Sequence, residues 1–212
     1  MDETGPIRSP DDAPRFGAGT IRTHLVVRDL HSGRIVGACR VIAPQIDGRA
    51  DGYICERLFD MRMLEVLRGR MVELGGACID RDYRPATIMQ HLGTSLARYL
   101  VENRYDFAFG CAAVSLADGG HAAASAFRSL GENHLSPIDL RAVPRARLPL
   151  EALRDFLQQS PPALLRAYVD LGAWVCGEPA LDADRDCAVF PLLIPLARMR
   201  VRYARHFLTR AA

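Results

Sequence analysis

The sequence predicts an α/β protein built on a mixed sheet of about six strands flanked by helices. Apolar runs of strand length alternate with segments in which apolar residues recur every three or four positions. The order strand, helix, strand near the middle of the chain is typical of a parallel crossover. The 212 residues are 49% hydrophobic, enough for a sizeable core. We expect residues 1–19 to form a disordered or loosely attached tail and residues 20–212 to form one domain.

The first predicted elements are two strands, Ile21–Val27 and Arg34–Ile42. The segment Asp29–Gly33 between them has the turn residues of a hairpin, which predicts an antiparallel pair. Leu58–Leu67 is predicted to be helical.

A strand at Met71–Ile79, a helix from Pro85 to about Val101 and a strand at Phe107–Val114 are predicted next. The apolar stripe of this helix consists of Ile88, Leu92, Leu96 and Leu100. The start of a helix presents free N–H groups and the positive end of its dipole, so this junction could bind a pyrophosphate or a phosphopantetheine arm. The same pattern also occurs as plain architecture in α/β proteins.

The remaining elements are shorter. A helix rich in small residues is predicted at Ala122–Leu130, and Ser160 is predicted to cap a helix at Ala163–Leu171, with prolines in its first positions. Strands at Ala173–Cys176 and Ala188–Ile194 complete the sheet.

Composition argues against several classes of function. All 27 basic residues are Arg, which suggests genome base composition, and the net charge of +2 gives no footprint for nucleic acid. The six cysteines have no metal-ligand spacing, so no metal site is expected. Without a signal peptide or a long apolar span, we expect a cytoplasmic protein. The Arg-rich segment 198–205 could contact the inner membrane peripherally, or form a solvated edge or terminal helix.

Short segments spread over residues 24–207 match one family in type and order. They are His24–Asp29, Val36–Arg40, Glu56–Asp60, Glu73–Gly75, Cys78–Asp80, Asp82–Arg84, Phe109–Cys111, Pro161–Leu165, Leu171–Gly177, Arg202–Tyr203 and His206–Phe207. Through these segments the chain resembles the L-ornithine N(alpha)-acyltransferases of ornithine lipid synthesis, which have the GNAT fold. The chain differs from the family in three places. We expect the segment that usually precedes the His24 strand to be missing, Gly76 stands where the family has an arginine, and the turn of small residues after Arg84 reads Pro85-Ala86-Thr87.

The resemblance implies an N-acyltransferase that moves a 3-hydroxyacyl chain from acyl carrier protein to the α-amine of L-ornithine, giving lyso-ornithine lipid. Acyl carrier protein is then both partner and co-substrate, through its phosphopantetheine thioester, and no cofactor is bound permanently. Two alternatives stay open. One is another GNAT acyltransferase, such as an acyl-homoserine lactone synthase or a coenzyme A-dependent enzyme, and the other is a non-catalytic member that binds a lipid or a protein.

The resemblance also assigns roles to individual residues. Glu73 is the candidate general base, because a partly buried carboxylate can have a pKa raised towards neutrality. The alternative is a structural hydrogen bond or ion pair. Gly75, Gly110 and Cys111 are expected to bind the donor where two strands separate, and Arg84 to pair with its phosphate unless it is simply a solvated surface arginine.

Arg40 and Glu56 are the candidates for binding the acceptor, since an arginine fork suits a carboxylate. They could instead pair with each other. His24, in an apolar strand, is interpreted as a core histidine rather than a catalyst.

Overall fold

The computed structural model describes residues 22–44, 53–153 and 161–199. Its strands are β1 (Arg22–Arg28), β2 (Ile35–Ile42), β3 (Phe59–Asp60), β4 (Met71–Ile79), β5 (Phe107–Ser115), β6 (Val143–Pro144), β7 (Trp174–Val175), β8 (Ala180–Asp182) and β9 (Cys187–Pro195). Its α-helices are α1 (Pro85–Glu102), α2 (His121–His134) and α3 (Ala163–Leu171). The predicted tail, Ser160 and the Arg-rich segment beyond residue 199 lie outside the described residues.

Seven strands form one mixed sheet in the order β1-β2-β4-β5-β9-β7, with β8 beside β9. β4 and β5 are parallel and are connected through α1, whereas the other neighbours in this sheet are antiparallel. The predicted mixed α/β sheet is confirmed, with seven strands where about six were expected. The hairpin and the parallel crossover were both predicted correctly.

Side chains of the sheet pack on both of its faces. On the helix face, the apolar residues of α1, α2 and α3 share one core cluster with Val41, Val72 and Ala108 of three neighbouring strands. On the second face, a smaller cluster includes Met71 and Phe109. Because side chains alternate along a strand, β4 contributes to both clusters and fixes which residues point to each face.

The hairpin turn is fastened to the loop that follows β4. Asp29 accepts hydrogen bonds from the His31 amide at 2.8 Å, the Ser32 hydroxyl at 2.8 Å and the Tyr83 hydroxyl at 2.5 Å. Gly33, at φ +70°, supplies the left-handed residue of the turn. The motif residues Asp29 and Tyr83 therefore hold the hairpin against the end of β4.

Several predicted elements need correction. The predicted helical segment Leu58–Leu67 is helical only from residue 62, as part of a 3-10 helix at Arg62–Arg70, because Phe59 and Asp60 pair with β6. This pairing joins segments far apart in the sequence, and it overrides the local helical pattern. The cap position of α3 is occupied by Pro162, which makes no side-chain hydrogen bond there. None of the helices in the described part of the chain is long and apolar enough to cross a membrane.

Candidate active site

The central feature of the sheet is that β4 and β5 pair over only part of their length. Parallel pairing runs from Met71 opposite Phe107 to Leu74 opposite Gly110. Beyond that point β4 continues to Ile79 beside β2, and β5 continues to Ser115 beside β9. We call the space between residues 75–79 and 111–115 the gap. Its two edges are strand backbones that can hydrogen-bond an extended ligand.

Glu73 lies one residue before the end of the parallel pairing. It is on the second face with Met71, and only 3% of the residue is exposed. Its Oε1 accepts a hydrogen bond from the backbone N–H of Cys55 at 2.8 Å. A buried carboxylate is strongly oriented by such a bond, so the fold holds Glu73 in a defined position at the inner end of the gap.

The thiol of Cys55 lies beside this carboxylate, and Cys111 lies beside Cys55. Burial, reinforced by Cys111 and Glu73, raises the pKa of Cys55 well above its ordinary value. The Cys55 thiol also contacts the sulfur of Met61 at 3.2 Å. Cys55 is therefore a neutral, structural group. Cys111 is half-buried and is the first β5 residue beyond the parallel pairing, as expected for a residue that lines the gap.

The other predicted donor-binding residues lie on the strand edges and at the helix start. Gly110 is the last paired residue of β5, and Gly75 is the first residue of β4 beyond the pairing. Arg84 is the exposed N-cap residue of α1, followed by Pro85 in the first turn. Among the described residues the Arg84 guanidinium has no acidic partner, so it is available at a helix N-terminus.

The strand β4 has an irregular step beside β2. The register shifts between Ala38 and Arg40, and Gly76 adopts a left-handed conformation at φ +60°. Arg40 lies opposite Gly75, and its Nη2 lies 3.4 Å from where a Cβ on Gly76 would be. Arg40 Nε is buried and has no hydrogen-bond partner among the residues that the structure describes. The guanidinium therefore lies over the bulge, next to the gap.

Tyr168 of α3 approaches the end of the parallel pairing from the helix face. Its hydroxyl lies 3.9 Å from the position of a Cβ on Gly110. Burial raises the pKa of Tyr168 well above its ordinary value, so the phenol keeps its proton. Sequence reasoning did not select Tyr168. The one available signal was its place with Leu165 and Leu171 on the apolar stripe of α3.

The proposed pair of acceptor residues is not held together. The Glu56 carboxylate forms an ion pair with Arg68, and the Glu56 carbonyl oxygen accepts a hydrogen bond from Arg145 Nε at 2.9 Å. The alternative of a pair with Arg40 was therefore wrong, because Arg68 of the 3-10 helix takes that place. The ion pair also leaves Glu56 less suited to bind an acceptor.

The interpretation of His24 as a core histidine was also wrong. His24 is exposed, whereas Leu25 and Val27 on the opposite side of the same strand pack against the main core. The reason is that β1 is an edge strand whose second face is open. His24 lies directly opposite Arg40 in the β1–β2 register.

Two parallel strands that separate beside a buried carboxylate on one face and a protonated phenol on the other can bind an extended thioester and provide proton transfer. A family model described as acetyltransferase (GNAT) domain matches residues 17–94. The fold class and the enzyme class predicted from the sequence are confirmed. The chain has the GNAT fold and is an acyltransferase.

The resemblance to one branch of these enzymes is confirmed as well. The chain is 27% identical over 216 residues to the L-ornithine N(alpha)-acyltransferase of Brucella abortus, covering 92% of this chain and 74% of the relative. It is 29% identical over 200 residues to the L-ornithine N(alpha)-acyltransferase of Rhodobacter capsulatus, covering 88% of this chain and 76% of the relative. Among solved structures, FeeM, an N-acyl amino acid synthase from uncultured soil microbes, aligns with a TM-score of 0.49 at 12% identity, over 87% of this chain and 78% of FeeM.

Proposed function

We propose that this acyltransferase moves a 3-hydroxyacyl group from acyl carrier protein to the α-amine of L-ornithine, giving lyso-ornithine lipid. The observation that carries the proposal is the gap between β4 and β5 with Glu73 at its inner end. The similarity to L-ornithine N(alpha)-acyltransferases supports the choice of acceptor. The acylated product would favour the cytoplasmic face of the inner membrane, where a peripheral contact would release it.

The donor is proposed to enter the gap as an extended phosphopantetheine arm. Its amide groups would hydrogen-bond the backbone edges near Gly75, Gly110 and Cys111, as an added strand does. The phosphate would lie near the start of α1, where Arg84 supplies a positive charge. This arrangement brings the thioester towards Glu73 and Tyr168.

The transfer itself needs no covalent enzyme intermediate. The neutral α-amine attacks the thioester carbonyl carbon, a C–N bond forms, and the C–S bond breaks as the tetrahedral intermediate collapses. Glu73 accepts the proton lost by the amine, directly or through a water molecule. Tyr168 donates a proton to the departing thiolate and is then reprotonated from solvent. The opposite faces occupied by Glu73 and Tyr168 separate these two proton transfers.

Replacing the carboxylate tests this mechanism. The purified full chain is incubated with 3-hydroxyacyl carrier protein and L-ornithine, and the product is measured by mass spectrometry. Glu73→Gln should lower kcat by about 10²- to 10⁴-fold, the range for loss of a general base. Glu65→Gln is the matched control, because Glu65 is exposed and pairs with Arg68 away from the gap.

The outcomes separate the mechanism from the substrates. An unchanged rate in Glu73→Gln would contradict the role of Glu73 while leaving the enzyme class intact. Coenzyme A thioester as a second donor distinguishes the source of the acyl group, because faster transfer from coenzyme A would contradict acyl carrier protein as donor. No product from folded protein with either donor would contradict L-ornithine as acceptor.

A further inference from the structure

The second face of the sheet carries two basic side chains next to Glu73. His24 of β1 is opposite Arg40 of β2, and Arg40 is opposite Gly75 of β4. Cys39 and Val41, which flank Arg40, belong to the core cluster on the helix face, so Arg40 points to the second face. Side chains directly opposite in neighbouring strands have Cβ atoms about 4.5–5.5 Å apart. His24 and Arg40 therefore form one row of donors.

Within the described part of the chain these donors have no protein acceptor. Among residues 22–44, 53–153 and 161–199, neither side chain forms an ion pair or a side-chain hydrogen bond. Arg40 Nε is moreover buried, and no described residue accepts a hydrogen bond from it. An unsatisfied buried donor of a charged group is costly, and a guanidinium fork is satisfied best by two oxygens of one anion.

The guanidinium of Arg40 lies beside Gly76. A Cβ at residue 76 would meet Arg40 Nη2 at 3.4 Å, an ordinary van der Waals contact, although a side chain there would be strained at φ +60°. The head group of Arg40 therefore lies over the bulge, beside the gap.

The row of donors has a fixed relation to Glu73. Glu73 is paired with Ile42, which lies two residues beyond Arg40 on β2, so the row of donors is followed by a carboxylate along one face. Two residues of a strand span about 6.6 Å. An α-amino acid has the complementary order, since its carboxylate is attached to the carbon that carries its amine.

We propose that Arg40 and His24 bind the carboxylate of the acceptor and thereby present the adjacent amine to Glu73. The proposal rests on the proposed N-acyl transfer and specifies its acceptor class: an amine with a carboxylate on the neighbouring carbon. Arg40 forms the paired hydrogen bonds, and His24 adds one donor from the edge strand. Glu56 has no part in this site.

The test compares L-ornithine with 1,4-diaminobutane, which has the same chain without the carboxylate. Arg40→Gln should raise KM for L-ornithine about 10- to 100-fold, the range for a lost charge-assisted contact, with a smaller change in kcat. His24→Gln should raise it less, about 3- to 10-fold. KM for 1,4-diaminobutane should stay the same in both variants. The control is Arg28→Gln, which removes a positive charge from β1, the strand that carries His24.

A further variant protects the test against misfolding. Arg40→Lys keeps the charge and loses the fork, so KM for L-ornithine should remain high although the thermal midpoint is preserved. Equal KM changes for both amines, or no change in Arg40→Gln, would overturn the proposal.

Calorimetric binding of L-ornithine distinguishes failure of this proposal from failure of the proposed function. If the folded protein binds L-ornithine through Arg40 but forms no acyl product, the binding pair stands and the transfer reaction fails. If product forms while binding is insensitive to Arg40→Gln and His24→Gln, the reaction stands and the binding pair fails. If L-ornithine neither binds nor reacts, both fail.

Discussion

β4 is one strand with two environments. From Met71 to Leu74 it is paired with β5, and at Glu73 and Leu74 it is paired with β2 as well; Val72 is completely buried. Beyond Leu74 it is paired by β2 alone, contains Gly75 and Gly76, and becomes partly exposed. The comparison shows that stability and ligand access are built into different halves of the same strand.

The separated half has other attachments in place of β5. The Asp80 amide donates a hydrogen bond to the Val36 carbonyl at 2.9 Å, and the Asp80 carboxylate pairs with Arg34 at 2.6 Å. Asp29 and Tyr83 add a second tie between the hairpin turn and the same loop. These contacts hold β4 from the hairpin side, so the gap can stay open without loosening the strand.

The largest effect on stability is expected in the paired half. Met71→Ala removes a side chain that is 1% exposed from the second core cluster, which should lower the free energy of unfolding by about 2–5 kcal/mol. Ile79→Ala, in the separated half of the same strand, should cost less than half as much because Ile79 is partly exposed. Urea unfolding of both variants measures the difference, and equal losses would contradict the division of the strand.

A smaller effect, on catalysis, is expected where the two halves meet. Tyr168→Phe removes the hydroxyl beside Gly110 and should lower kcat roughly 10- to 100-fold, since a thiol needs less protonation than a poorer leaving group. Tyr99→Phe, whose ring stacks on Tyr105 within the helix layer, should leave kcat unchanged. If Tyr168→Phe retains full kcat, Tyr168 is not the proton donor.

The smallest effect on stability is expected from the hydrogen bond between Tyr83 and Asp29, which helps to hold the separated half of β4. The hydrogen bond from Tyr83 is the main cause that lowers the pKa of Asp29 to about 2. Because the pKa in the folded state is below the unfolded value of about 3.9, the tie stabilises the fold above pH 4 and is lost as the pH falls towards 2.

Tyr83→Phe should therefore be less stable than the parent at pH 7, and the difference should shrink between pH 4 and pH 2. Chemical unfolding at several pH values measures this difference, with Tyr99→Phe as the control. A difference that does not depend on pH would show that the tie acts through packing rather than through the Asp29 carboxylate.

Much of this fold could be predicted where local chemistry and tertiary structure agree. β4 was predicted with the observed bounds. The bounds of α3 were also predicted as observed, and those of α1 to within one residue, because a turn or a proline marks the start of each helix and apolar periodicity continues to its end. β3, β6 and β8 were missed, since strands of two or three residues have no measurable periodicity. They exist because distant segments pair with them.

The residues of the site likewise fall into those that could be predicted from the sequence and those that could not. Glu73, Gly110 and Cys111 were selected through the family resemblance, and the structure places them together at the inner end of the gap. The ion pair of Glu56 with Arg68, the approach of Tyr168 and the neighbourhood of His24 and Arg40 depend on register and helix packing. No spacing in the sequence encodes these relations.

β9 has a consequence for how the chain reaches this state during synthesis. All nine of its residues are buried, and it pairs with β5, β7 and β8. When the ribosome has released β4, α1 and β5, the far edge of β5 has no neighbour until residues 187–195 emerge. Any sheet formed by then has an unpaired backbone edge on β5, and unpaired strand edges promote pairing with other chains.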